Sequence, residues 1–199
     1  MADHAERVTF GAGHGTLTLL TGRDGLAATA GHDLTIEICQ WSAQLELAAD
    51  GPGAGEPDAT GPVGPAGLTV TADLNSLAVR SGTGGVLPLT DRDRREIAAN
   101  ARRVLKADRH PSAVFTATGF EPAGDGGGSI TGILDLAGAS RPFRLDVSRT
   151  GTGRGSYHAA GSVRQSDFGI RPYTAFLGAL RVSDAVRVAV DVTLPRDRP

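Results

Sequence analysis

The 199-residue sequence predicts an all-β fold: an antiparallel barrel of about eight strands with one short helix packed on it. Three observations carry that expectation. Short runs of alternating apolar and polar residues recur along the chain, turn signals separate them, and one segment alone shows helical periodicity. A sheet closed on itself leaves no exposed edge, which favours a barrel for so many short strands. At 40% hydrophobic and 21% charged, the chain lies outside disordered composition, and residues 1–199 read as a single domain.

Taken in order, TLTLL (16–20), LTIEI (34–38), AQLELA (43–48) and LTVTADL (68–74) alternate as strands half buried on one face do. Between the last two lies DGPGAGEPDATGPVGPAG (50–67), in which ten of eighteen residues are Gly or Pro. That composition packs poorly and lacks N–H groups to pair, so the segment is expected to be a disordered surface loop inserted within the domain.

TDRDRREIAANARRVLKADRH (90–110) is the helical segment. Thr90 and Asp93 have capping-box spacing, Asp91 and Asp93 suit the positive end of the helix dipole, and Arg102, Arg103 and Lys106 suit the negative end. Ile97, Ala101, Val104 and Leu105 form one apolar stripe for docking on the barrel, which leaves the charges on the outer face. Seven basic against four acidic residues make only a small positive excess, and no helix-turn-helix partner or aromatic platform accompanies it. A nucleic-acid partner is therefore not expected.

After the helix come AVFTATGF (113–120), SITGILDL (129–136), RPFRLDVS (141–148), SYHAAGSVRQ (156–165) and AVRVAVDVTL (185–194). The turns DGGG, AGAS and TGTGRG separate the first four, as antiparallel hairpins require.

Bulk properties exclude several classes of function. A net charge of −2 draws the chain toward neither polyanions nor anionic membranes. The amino end lacks the apolar core of a secretory signal and no run of about 18 apolar residues occurs, so a cytoplasmic protein without a transmembrane segment is expected. Cys39 is the only cysteine, which rules out an internal disulfide. It is in phase with Thr35 and Glu37, hence outward-facing, with nothing basic beside it in the sequence. The histidines show no metal-ligand spacing, and no cofactor is implied. His32 and Asp33 are adjacent on a strand and point to opposite faces, so they cannot form a simple dyad. Asp167 reads as a turn cap, with Gly169 allowing a positive φ.

Alternation alone leaves two readings of the interior open, a filled core or a tube for one ligand. Three ordered blocks bear on the choice. ADLNSLAV (72–79) with RHPSAVFTA (109–117), then GILDLAGASRPFRLDV (132–147), then SDFGI (166–170) with GALRVSDAVRVAVDV (178–192), resemble the YceI-like family of lipocalin-like barrels. The resemblance covers residue 68 to the end, with a weaker fit before it. Gln165 stands where that family often has Arg, GHDLTIE (31–37) has its own motif, and the 50–67 loop is not part of the family pattern.

The resemblance implies a non-catalytic protein that binds, stores or transports a long-chain apolar lipid of polyisoprenoid or isoprenoid-quinone type. The apolar faces supply candidate lining residues: Ile36, Leu45, Leu47, Val70, Phe115, Leu134, Leu136, Phe143, Leu145, Phe168, Val188 and Val190. His32, Arg171 and Tyr173 are candidates for contact with a polar head group. The alternative is a filled-core β-protein serving as a stress-response or protein-interaction module; a homodimer is compatible with either reading.

Overall fold

The computed structural model describes residues 6–47, 65–123, 126–150 and 155–195. Within them the chain forms an antiparallel β-barrel with one α-helix. The strands are β1 (Glu6–Gly11), β2 (Gly15–Asp24), β3 (Asp33–Ile38), β4 (Trp41–Leu47), β5 (Pro65–Asp73), β6 (Leu77–Thr83), β7 (Ser112–Pro122), β8 (Gly128–Leu136), β9 (Ala139–Arg149), β10 (Ser156–Arg164), β11 (Thr174–Ala175) and β12 (Leu180–Thr193). The sheet runs in the order β1-β4-β5-β7-β8-β9-β10-β12-β2-β3-β6, and β11 pairs with β12 beside it.

Twelve strands replace the expected eight or so. The additions are β1, β6 and the two-residue β11: β1 and β11 are short, and LAVRSGT in β6 opens with three consecutive apolar residues rather than an alternating run. Residues 48–64 of the Gly/Pro-rich region lie outside the described residues. The expected loop boundary at 67 is corrected by β5, in which Pro65 and Gly67 already pair with Leu47 and Glu46.

The sheet also departs from full ladder closure. β1 and β6 are its two ends, and no ladder joins them among the described residues. Short links bridge the seam instead. The β3–β4 and β5–β6 links bond to each other: Cys39 N donates to Ser76 O at 3.3 Å and Asp73 N to Gln40 O at 2.9 Å. Gln40 N donates to Ser76 Oγ at 2.9 Å, and that hydroxyl donates to Asp73 O at 2.7 Å. These bonds satisfy backbone groups that an open sheet would leave to water.

Helix α1 (Asp91–Val104) begins with the expected capping box: Asp93 N donates to Thr90 Oγ1 at 3.2 Å, and Thr90 N to Asp93 Oδ2 at 2.8 Å. Ala98 is buried, and Ile97, Ala101, Val104 and Leu105 pack against the core. Arg102 Nη1 donates to Leu77 O in β6 at 3.3 Å. The helix thus lies along the seam beside β6. It is a wall of the barrel rather than an element resting on its outside, because a strand ladder is missing there. No helix among the described residues is long and apolar enough to cross a membrane.

Candidate ligand cavity

The barrel encloses a cavity of about 520 Å³, within the range of small-molecule sites. Its wall is the inward set of nearly every strand: Leu17 and Leu19 of β2, Leu34, Ile36 and Ile38 of β3, Val70 of β5, Phe115 of β7, Leu134 and Leu136 of β8, Phe143 and Leu145 of β9, and Val186, Val188 and Val190 of β12. Ile97, Ala101, Val104 and Leu105 complete it along the helix. Strand alternation explains the selection: in β12 the neighbours Arg187 and Asp191 are exposed, while Val188 and Val190 face inward. Both valines are only half-buried, since part of their surface borders the empty interior.

Two aromatic rings shape the wall. Phe115 and Phe143 meet edge to face, with centroids 5.8 Å apart. Each lies against a glycine: a β-carbon at Gly132 would come within 2.7 Å of the Phe115 ring, and one at Gly161 within 2.7 Å of the Phe143 ring. Glycine in these strand interiors costs intrinsic stability but leaves room for the rings to lie flat on the sheet.

Polar lining residues gather toward one end, the mouth. Arg23 and Arg181 come from the paired ends of β2 and β12, His32 precedes β3, Asp93 and Glu96 sit on the first turns of the helix, and Tyr173 precedes β11. Several are committed to the scaffold. His32 Nε2 donates to Leu87 O at 2.8 Å, which places a proton on that nitrogen. Arg23 donates to Gly31 O and lies 3.6 Å from Asp33. Deeper in, Gln165 is buried and donates through Nε2 to Ser183 O at 2.9 Å. The Asp93 carboxyl is held below the ordinary range, chiefly by the hydroxyl of Thr90.

The structure brings Ile36, Val70, Phe115, Leu134, Leu136, Phe143, Leu145, Val188 and Val190 together on the wall, with His32 and Tyr173 near the mouth. Four expected positions lie elsewhere. Leu45 and Leu47 pack against the core away from the wall, Phe168 is buried behind it, and Arg171 is exposed off it. Alternation reports which face a residue occupies but not its height along the barrel, and so could not exclude Leu45 or Leu47. Leu17, Leu19 and Leu34 lie in runs whose alternation was visible in the sequence. Gln165 and the helical Glu96 and Asn100 carried no such signal.

One turn assignment is also corrected. Gly169 does have positive φ, at 65°, but Asp167 is not the cap. Asp184 is: it accepts from Ser166 N at 2.8 Å and Ser166 Oγ at 2.6 Å, and these bonds hold its carboxyl below the usual range. A bulge between Val182 and Val186 of β12 aims Asp184 at that turn. Cys39 does have a basic neighbour, across the sheet rather than in sequence: Arg80 Nη2 donates to its Sγ at 3.4 Å.

Comparison with known proteins agrees with this architecture. The model of the YceI-like domain matches residues 5–194. A UPF0312 protein of Pectobacterium atrosepticum is 32% identical over 88 residues, 41% of this chain and 45% of the relative. One from Pectobacterium carotovorum subsp. carotovorum is 31% identical over the same shares. The matched stretch therefore spans less than half the length of these curated relatives. Among solved structures, Burkholderia cenocepacia BcnA superposes with a TM-score of 0.59 at 16% identity, covering 89% of this chain and 94% of that one. A polyisoprenoid binding domain from Saccharophagus degradans, implicated in plant cell wall breakdown, gives 0.54 at 13% identity over 96% and 100%. At these identities the structures speak for the fold, whereas the match over nearly the whole length shows that the chain belongs to the YceI-like domain family.

Proposed function

We propose that this chain binds a long-chain apolar lipid of polyisoprenoid or isoprenoid-quinone type inside the barrel and holds it without chemical change. The observation that carries the reading is the continuous apolar wall around a cavity of about 520 Å³. Apolar contact needs no directed chemistry: each buried methylene contributes roughly 0.8 kcal/mol, about fourfold in affinity. Charged groups gathered at the mouth suit an amphiphile whose tail fills the interior and whose head meets His32 and Tyr173. The Saccharophagus degradans domain, described as polyisoprenoid binding, supports the same class of ligand.

The test is a titration with prenols of increasing length, alongside mass spectrometry of lipid extracted from the natively purified protein. Affinity should climb by severalfold per added carbon and level off once the chain outgrows the cavity. No binding at any length, together with an extract free of lipid, would refute the carrier reading.

A further inference from the structure

Eight large apolar side chains are exposed among the described residues, and six of them belong to segments around the mouth. Leu26 (101% exposed) follows β2, Val86 (78%) and Leu87 (74%) lie between β6 and the helix, and Tyr173 (42%), Phe176 (66%) and Leu177 (110%) flank or include β11 and the turn after it. The other two, Leu20 and Ile133, are 36% and 37% exposed. Contacts hold the segments together: Ala27 N donates to Ala179 O at 2.9 Å, and His32 ties its own segment to Leu87 O.

The same segments avoid charge. GLAATAG (25–31), GGVLPL (84–89) and PYTAFLGA (172–179) contain no Asp, Glu, Lys, Arg or His, in a chain that is 21% charged. Charged residues stand at their bases: Arg23 and Asp24, Asp33, Asp91 and Arg92, Arg171 and Arg181. An uncharged apolar crest above a charged collar, with an aromatic pair near the boundary, matches a membrane–water interface. The crest also runs into the cavity, since Phe176 and Tyr173 belong to both. A second copy of the chain seated here would seal that opening. A bilayer would extend its apolar path.

We propose that the mouth docks on a lipid bilayer, with Leu26, Val86, Leu87, Phe176 and Leu177 entering the interfacial region, so that cargo passes between membrane and cavity without crossing water. This rests on the lipid-carrier reading for its purpose but not for its physics. Because the crest is uncharged, docking depends on apolar contact and is insensitive to salt. Phe176, Leu177 and Gly178 all have positive φ, at 50°, 54° and 90°. Two non-glycine residues are thus held in the left-handed region while presenting their side chains to water.

The experiment is sedimentation of the full chain with phosphatidylcholine vesicles at low and high salt, paired with a vesicle-free titration with farnesol. Wild type should partition equally at both salt concentrations. Leu26→Asp and Leu177→Asp should each reduce partitioning by about tenfold or more, because each removes one fully exposed leucine from the crest. Both should keep the farnesol affinity, since neither residue lines the cavity. Leu177→Gly relieves the left-handed strain, so it should lose partitioning without lowering the melting temperature. Wild type that ignores the vesicles, variants that partition like wild type, or a wild-type dimer that these variants dissolve would each overturn the docking proposal. Vesicle partitioning by a protein that binds neither farnesol nor any longer prenol and carries no lipid would leave docking standing and remove the carrier reading.

Discussion

Val190 separates an open interior from a filled one. It faces Leu17 and Ala159 across the ladders on either side and borders the cavity. Val190→Trp has empty space to grow into, so its stability should stay within about 1 kcal/mol of wild type while prenol uptake falls sharply. In a close-packed core the same change would cost about 1–3 kcal/mol. Chemical denaturation and a prenol titration on the same variant measure both quantities. Val190 was legible in the sequence because Val186, Val188, Val190 and Val192 recur at every second position of AVRVAVDVTL, which sets them on one face. Gln165 was not, since a buried glutamine announces itself only through the carbonyl it reaches, and Ser183 is eighteen residues away.

At the scale of elements, the helix was legible and its place was not. Its cap and apolar stripe are local patterns, whereas its role as a wall follows from the missing ladder at the seam, a long-range fact. Ile97 lies on that stripe and on the cavity wall, so Ile97→Asp should both destabilise the protein, by several kcal/mol, and abolish ligand uptake. Thermal melts and titration of the same variant check this. The turn before β11 makes a pH-dependent prediction. Asp184 has a carboxyl pKa below its unfolded value, so its bonds to Ser166 stabilise the fold fully above the ordinary carboxylate value of about 3.9. That stabilisation is lost as pH falls through the lower folded value, where the unfolded chain has already taken up its proton. Asp184→Asn, which does not titrate, should therefore trail wild type clearly at neutral pH and approach it in acid. Denaturation midpoints across pH read the difference.

For the whole molecule, the fold class was readable because alternation, turns and one helix all pointed to a curled antiparallel sheet. How the sheet ends was not readable, since β1 and β6 are short and their partners, β4 and β3, are not their sequence neighbours. The seam has a dynamic consequence. Interior strands are gripped by ladders on both sides, while β6 has β3 on one side and the helix on the other. Amide protons on the helix-facing side of β6, and on the side of β1 away from β4, should therefore exchange with deuterium well before those of β8, β9 and β10. Uniform exchange around the circumference would show that the barrel opens only by global unfolding. Filling the cavity ties the helix to the opposite wall through the ligand, so bound lipid should slow exchange most along the helix and β6. The missing ladder thereby becomes a hinge line, along which a rigid cylinder of fixed bore can widen or narrow to suit cargoes of different girth.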